Sequence, residues 1–239
     1  MLFRSDEGDI LVFLPGVGDI RRVEQRVQDF SFPSLDIVPL YSDLPLDRQD
    51  AALRPAPAGR RKVVLATSIA ETSLTIEGVR VVIDSGFMRV PRFDPGTGMS
   101  RLETVRASRA AADQRRGRAG RLGPGLCYRL WTEAADRQLI PYTAPEIADA
   151  DLAPLALELA SWGAEAQRLA WLDPPPAAAL SQGRDLLQRL GALDDKGAIT
   201  NEGRRMARFG IHPRLAHMLW RGKDLGFGAL AADLAALLG

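Results

Sequence analysis

The chain has 239 residues, of which 46% are hydrophobic and 26% are charged, and its 31 basic and 30 acidic side chains leave a formal net charge of +1. These values are ordinary for a globular protein, and they exclude a strongly basic nucleic-acid-binding tail and an acidic disordered chain. The single cysteine, Cys127, excludes an internal disulfide and a cysteine-rich zinc site.

No apolar run reaches the roughly 18 residues that span a bilayer, and the first ten residues lack the apolar stretch of a signal peptide. Because a single cysteine also fits a reducing compartment, the sequence predicts a cytoplasmic protein that has no membrane partner. At roughly 100–200 residues per domain, its length predicts one large domain or two small ones.

Residues 10–130 alternate between strand-like and helix-like segments. Strands are predicted at 10–14, 35–40, 63–66, 79–83 and 126–130, and helices at 19–30, 46–53 and 108–116, the last capped by Ser108. This alternation predicts an α/β fold in which helices cover both faces of a parallel sheet. Ligands of such sheets bind where the strands end, so the loops after Leu14, Ala66 and Ile83 are candidate sites.

A β-hairpin is predicted after the fourth strand. Pro95, Gly96 and Gly98 lie between two strand-like runs, residues 87–93 and 99–105. Because proline and glycine favour tight turns, this pattern predicts two antiparallel strands that project from the parallel sheet.

The pattern becomes helical after about residue 140. Residues 180–190 predict an amphipathic helix, residues 191–200 predict a tight turn with short flanking strands, and Thr200 can cap a helix over 201–208. Helices around a small β-wing are typical of a winged-helix domain. The predicted organisation is therefore a first domain at 1–141, a winged helix at 142–210 and the start of a truncated helical bundle at 211–239.

The strongest functional signal is the segment at 114–121, which reads QRRGRAGR. On a continued helix Gln114, Arg118 and Arg121 would share one face, and the interleaved glycines would let a phosphate approach. Two guanidinium groups can neutralise a triphosphate, and a glutamine beside them can orient an attacking water. The alternative is a solvated basic helix face, which does not account for the glutamine and the glycines.

A segment rich in hydroxyls, residues 67–75, follows the third strand. Its five serine and threonine side chains can donate hydrogen bonds to phosphates, and such contacts position a nucleic-acid backbone without reading its sequence. The alternative, a capped helix that happens to be rich in hydroxyls, is about equally well supported by this segment alone. The glycine-rich turn at 15–18, after the first strand, is a weaker signal of the same kind.

Together, these segments resemble the second RecA-like domain of the DEAH-box (DEAH/RHA) helicases of superfamily 2. The matching stretches are 8–16, 39–53, 64–86 and 114–121, and residues 145–215 resemble the winged-helix region of that family. Within the family, the stretches RFDPGTGMSRLETV and GLCYRLW are most similar to the bacterial HrpB type.

The resemblance implies an ATP-dependent RNA helicase that moves 3′ to 5′ along a single strand of RNA, or of DNA. By that resemblance, Gln114, Arg118 and Arg121 reach the γ-phosphate of ATP, with Arg121 as the arginine finger. Glu77 takes the position beside the ribose. Leu53 takes the position beside the base, where eukaryotic members often have phenylalanine.

The resemblance also implies contacts to the RNA backbone. The residues assigned to them are Gly16, Val17, Gly18, Thr67, Ser68 and Thr72. The first three form the hook-shaped loop of the family, and Ser68 replaces a usual asparagine. The hairpin at 93–99 matches the strand-separating hairpin.

The sequence contains neither a G-x-x-x-x-G-K-[ST] phosphate loop nor a D-E-x-H motif. Phosphoryl transfer needs these parts together with the arginine finger. We therefore expect the chain to act as a monomer with a first RecA-like domain, which would hold most ligands of ATP-bound Mg²⁺, and no metal ligand is assigned here. The alternative is a stand-alone nucleic-acid-binding winged-helix module without ATPase activity.

Overall fold

The computed structural model describes residues 8–30, 32, 34–71, 74–121 and 123–238. They form two compact units: one takes its residues from Met1–Val90 and Leu102–Ala144, and the other takes them from Pro91–Arg101 and Pro145–Gly239. In this described part of the chain, no helix has both the length and the apolar character that crossing a membrane requires.

The chain as far as residue 137 alternates strands and helices. Its elements are β1 (Asp9–Phe13), α1 (Val17–Gln28), β2 (Leu35–Leu40), α2 (Leu46–Leu53), β3 (Arg61–Ala66), a 3-10 turn (Ser68–Ala70), β4 (Val79–Asp84), β5 (Phe87–Asp94), β6 (Met99–Arg106), α3 (Arg109–Gly117), β7 (Leu126–Arg129) and α4 (Glu133–Arg137). The predicted α/β class is confirmed, and each strand and helix that was predicted here ends within two residues of its predicted bounds, whereas the 3-10 turn and α4 were not predicted.

Five of the strands form a parallel sheet in the order β2–β3–β1–β4–β7, and β5 pairs with β6 in the predicted hairpin. Leu11 packs on one face of the sheet and Ile10 on the other, which explains why β1 is apolar at successive positions. Phe13 lies opposite Ala66 of β3 and Asp84 of β4, so the ends of these three strands meet at one edge.

Helix α3 positions the QRRGRAGR segment. The hydroxyl of Ser108 accepts a hydrogen bond from the backbone N–H of Ala111 over 3.2 Å, which confirms the predicted cap. The helix ends at Gly117, one residue beyond its predicted end, so Arg118 and Arg121 lie past the helix that carries Gln114. Glycine is a poor helix former, and the side chain of Arg118 instead binds carbonyl oxygens on another loop.

The second unit is predominantly helical, as predicted. Its elements are 3-10 turns at Glu146–Ala148 and Ala166–Arg168 and the helices α5 (Ala153–Trp162), α6 (Ala177–Arg189), α7 (Asn201–Ala207), α8 (Pro213–Asp224) and α9 (Gly228–Leu238). Thr200 caps α7 by accepting from the N–H of Gly203 over 3.0 Å. The wing consists of an antiparallel bridge between Leu193 and Ile199, which is shorter than the flanking strands predicted there.

Candidate functional site

Two loops that carry predicted RNA contacts leave the ends of neighbouring strands. The backbone N–H of Leu14, just after β1, donates to the carbonyl oxygen of Ala66 at the end of β3 over 2.8 Å. Thr67, which is half-buried, and Ser68, which is exposed, follow directly. The fold therefore brings the 14–18 loop and the 67–68 segment together, while Thr72 lies outside the described residues.

The glycine-rich turn forms the N-terminus of a helix of 12 residues. Gly16 is the N-cap of α1, and Val17 and Gly18 begin its first turn, where backbone N–H groups can bind an anion. A Cβ on Gly16 would lie 2.9 Å from Nε of Arg89, so glycine allows this guanidinium to lie against the turn. The sequence analysis did not select Arg89, since its position in β5 does not indicate which loop it approaches.

The predicted phosphate contacts are held by the loop that follows the 3-10 turn. Arg118 donates from Nε to the carbonyl oxygen of Glu71 over 2.9 Å and from Nη1 to that of Leu74 over 2.8 Å. Arg121 donates from Nη1 to the hydroxyl of Thr75 over 2.9 Å. The two guanidinium groups thus bind one loop, although they lie beyond the end of α3.

The charge arrangement around Arg118 favours an anion. Burial and the positive charge of Arg121 lower the pKa of Arg118, and the negative charge of Glu71 opposes this shift. An anion placed beside these groups would offset the cost of burying one charge near a like charge. Beyond its neighbours in the chain and the backbone of its own helix, a Cβ on Gly117 or Gly120 would meet no described atom within 4 Å, which leaves room for a phosphate.

The remaining predicted nucleotide contacts lie near the same loop. The backbone N–H of Glu77 donates to the carbonyl oxygen of Leu53 over 3.3 Å, which places the predicted ribose and base residues beside each other. Leu53 is partly buried against the core of the sheet, and Glu77 is exposed. Gln114 is exposed on α3, one helical turn before Arg118.

Lys62 fixes the backbone on both sides of Leu53. Its Nζ donates to the carbonyl oxygens of Ala52, over 2.8 Å, and Arg54, and it lies 3.8 Å from the carboxylate of Asp9. Burial lowers the pKa of Lys62, while the negative charges of Asp9 and Glu77 oppose this shift. The available signal for this role was a lysine inside a buried strand of a chain whose other basic residues are almost all arginines.

The buried side chain of Arg115 binds two carboxylates and a carbonyl oxygen near the end of the sheet. Its Nη1 lies 2.8 Å from Oδ1 of Asp84, and its Nη2 lies 2.6 Å from Oε1 of Glu71. Nη1 also donates to the carbonyl oxygen of Phe87 over 3.2 Å. The guanidinium lies 5.1 Å from the ring centroid of Phe13, at the end of β1.

The sequence analysis selected the neighbours of Arg115 but not Arg115 itself. Ala111 and Ala112, which lie four and three residues before it, are the other buried residues of α3. Arg115 therefore lies on the alanine face of the helix, and this spacing was the signal that could have identified it.

Family models match both parts of the chain. The model of the helicase conserved C-terminal domain matches residues 1–123. The model of the winged-helix helicase associated domain matches residues 184–211.

Known proteins resemble the chain over nearly all of its length. The ATP-dependent RNA helicase HrpB of Escherichia coli (strain K12) is 45% identical over 238 residues, which are 99% of this chain and 29% of HrpB. The pre-mRNA-splicing factor ATP-dependent RNA helicase prp22 of Schizosaccharomyces pombe (strain 972 / ATCC 24843) is 43% identical over 239 residues, which cover 97% of this chain and 20% of prp22. The chain thus spans less than a third of either relative.

Two solved structures show the same fold. The crystal structure of the E. coli DEAH/RHA helicase HrpB matches with a TM-score of 0.92 at 45% identity, and the match covers 99% of this chain and 30% of that one. A second crystal structure, of the E. coli DExH-box NTPase HrpB, matches with a TM-score of 0.86 at 45% identity over 99% of this chain and 29% of that one.

Proposed function

The chain belongs to the DEAH/RHA helicases, and we propose that it supplies the second RecA-like half and the winged helix of an ATP-dependent RNA helicase motor. The supporting observation is that one loop binds Arg118 and Arg121 and also pairs with the backbone of Leu53. A nucleotide placed there would meet two positive charges at its phosphates and an apolar wall at its base.

In the proposed motor, a first RecA-like half must also bind the nucleotide. We use the term complete motor for this chain combined with a first RecA-like half, whether in one longer polypeptide or supplied by E. coli HrpB. In our proposal the complete motor is a cytoplasmic monomer that moves 3′ to 5′ along single-stranded RNA. Its substrate is ATP with Mg²⁺, and ATP closes the two halves on each other.

Each residue at the phosphate end has a distinct proposed role. Arg121 neutralises the charge that develops on the γ-phosphate in the transition state, and Arg118 binds the same phosphate in the ground state. Gln114 orients the attacking water through its amide. These groups, two cations and a neutral amide, do not fit Mg²⁺, which prefers carboxylate and phosphate oxygens. Accordingly, no step proposed for this chain involves the ion.

The proposed RNA contacts involve the phosphate backbone. The first N–H groups of α1, at Gly16, Val17 and Gly18, can donate to phosphate oxygens, and Arg89 supplies a positive charge against the same turn. The hydroxyls of Thr67 and Ser68 extend this surface along the neighbouring strand end, and Thr72 is proposed as a further contact. Such contacts favour RNA binding that is insensitive to base sequence.

The isolated chain is expected to show no ATP hydrolysis above a buffer control, whereas the complete motor hydrolyses ATP and is stimulated by single-stranded RNA. The reason is that the sequence has no phosphate loop to hold the triphosphate in line for attack. Steady-state phosphate release from both samples, with and without RNA, tests this.

Two results would contradict the proposal. Turnover by the isolated chain that disappears in Arg121→Ala would show a complete active site within these residues. A complete motor that binds RNA but never hydrolyses ATP would instead favour a nucleic-acid-binding module.

The complete motor is expected to use ATP, GTP, CTP and UTP with kcat/KM values within about tenfold of one another. This ratio corresponds to a difference of roughly 1.4 kcal/mol in activation free energy. Selection among bases needs hydrogen bonds to the base edge. The nearby backbone acceptors are already engaged, because Lys62 binds the carbonyl oxygens of Ala52 and Arg54, and Glu77 binds that of Leu53. Steady-state kinetics with the four nucleotides would measure this. A preference for ATP beyond a hundredfold would assign base recognition to the first RecA-like half.

The alternative, a stand-alone winged-helix module, has less support. Its recognition helix would be α7, which carries Arg204 and Arg205 and has Arg208 as its C-cap. However, the guanidinium of Arg205 lies 4.5 Å from the ring centroid of Trp220 and contributes to the packing of its own unit.

A further inference from the structure

Arg115 connects three segments at the end of the sheet. Its side chain is 1% exposed, and its partners are the carboxylate of Asp84 at the end of β4, the carboxylate of Glu71 and the carbonyl oxygen of Phe87 at the start of β5. Because a guanidinium presents its donors in a fixed planar fork, these partners have a fixed geometry relative to one another.

Glu71 is bound at two separate points. Its carboxylate oxygen Oε1 accepts from Nε of Arg115 over 2.8 Å and from Nη2 over 2.6 Å. Its carbonyl oxygen accepts from Nε of Arg118 over 2.9 Å. A displacement of Glu71 therefore changes the position of an acceptor that holds a phosphate-facing arginine.

The same residue adjoins the proposed RNA contacts. The backbone N–H of Glu71 donates to the carbonyl oxygen of Ser68 over 2.9 Å. On the opposite side of the network, Arg115 lies over the ring of Phe13, directly before the 14–18 loop. Both RNA-facing segments are thus one contact away from the Arg115–Glu71 pair.

Asp84 fixes one end of this network. It is fully buried, and its Oδ1 accepts from Arg115 and from the backbone N–H of Gly86, both over 2.8 Å. Separating Arg115 from Asp84 would leave a buried carboxylate without its counter-charge, which is strongly unfavourable. Glu71, whose side chain is 11% exposed, is the partner that can move at lower cost.

From these contacts we infer that Arg115 and Glu71 are positioning residues that transmit RNA binding at Ser68 and the 14–18 loop to Arg118. The inference rests on the proposed function and adds to it the regulation of the phosphate site by RNA. Neither residue is required to touch ATP or RNA. They act by setting the position of the carbonyl oxygen of Glu71, which binds Arg118.

The experiment measures kcat of the complete motor without RNA and with saturating single-stranded RNA, and the ratio of the two is the stimulation factor. Glu71→Ala removes the acceptor for Arg115 and is expected to lower this factor about tenfold, within the range of measured coupling energies. Glu71→Gln keeps an oxygen at the acceptor position, and Asp84 still balances the charge of Arg115. This variant is expected to keep the factor within about threefold of the wild type.

Glu133→Ala serves as the matched control, because the side chain of Glu133 is 94% exposed and its ion pair with Arg137 spans 3.8 Å. It is expected to leave the stimulation factor unchanged. If Glu71→Ala fails to fold, Glu71→Asp takes its place, since it keeps the charge but shortens the reach to Arg115, and the same tenfold loss is expected.

Three outcomes would overturn the inference. A wild-type factor in Glu71→Ala, or an equal proportional loss of both rates in that variant, would leave Glu71 a purely structural role. A loss in Glu71→Gln as large as in Glu71→Ala would show that charge, rather than position, matters. A wild-type complete motor that hydrolyses ATP without any RNA stimulation would overturn the proposed function and the inference with it, and is recognised before any variant is made.

Discussion

Replacing Arg121 with alanine in the complete motor is expected to lower kcat for ATP hydrolysis by about a thousandfold, with little change in KM. This ratio corresponds to roughly 4 kcal/mol of lost transition-state stabilisation. Among the residues that the structure describes, the side chain of Arg121 makes one hydrogen bond, to the hydroxyl of Thr75, and it is exposed. It can therefore turn towards a phosphate at low cost, whereas Arg118 is bound by carbonyl oxygens of the loop.

Arg116→Ala is the control for Arg121→Ala. The side chain of Arg116 is 63% exposed and lies 3.6 Å from Asp113, which is a weak surface pair. Its removal takes the same charge from the same segment and should change kcat by less than about threefold. A rise in KM with kcat preserved in Arg121→Ala would show that Arg121 binds the ground state and is not a finger.

Arg115→Met is expected to lower the free energy of unfolding of the first unit by about 3–5 kcal/mol. The variant keeps much of the side-chain volume but leaves Asp84, which is fully buried, and Glu71 without their counter-charge. Urea titration of the chain measures the effect. Trp131 reports on the first unit when phenylalanine replaces the tryptophans at 162, 171 and 220 in every variant.

Arg116→Met is the neighbouring control and should cost about 0.5 kcal/mol or less, because its ion pair is solvent-exposed. A second comparison separates charge from packing. Adding Asp84→Asn and Glu71→Gln to Arg115→Met removes both unpaired carboxylates and should recover part of the loss. Equal destabilisation by Arg115→Met and Arg116→Met would mean that the buried network contributes nothing measurable.

The strands of the sheet could be predicted because burial on both faces requires apolar residues at successive positions. Ile10 and Leu11 pack on opposite faces of β1, so its apolar residues are consecutive. The end of α3 was predicted to within one residue. The partners of Arg118 could not be predicted, because they are carbonyl oxygens on another loop and the sequence near residue 118 does not show them.

The candidate site was predicted where a motif identifies chemistry and missed where burial decides the role. The segment at 114–121 indicated Gln114, Arg118 and Arg121 by their spacing and by the family resemblance. Arg115 differs from Arg116 only in the helix face on which it lies, yet its side chain is 1% exposed and that of Arg116 is 63% exposed. Lys62 was missed for the related reason that its partners, the carbonyl oxygens of Ala52 and Arg54, are backbone atoms.

Arg118 and Arg121, the proposed phosphate contacts, differ in how a mutation affects the groups that they bind. Every residue has a carbonyl oxygen, so the acceptors of Arg118 at positions 71 and 74 persist whatever side chains occupy them. The anchor of Arg121 is the hydroxyl of Thr75, which only serine or tyrosine could also provide, and serine alone at the same reach. Sequence drift in this loop can therefore release Arg121 by a single substitution while Arg118 stays in place. In a relative with another residue at position 75, we therefore expect the side chain of Arg121 to gain mobility while the contacts of Arg118 are kept.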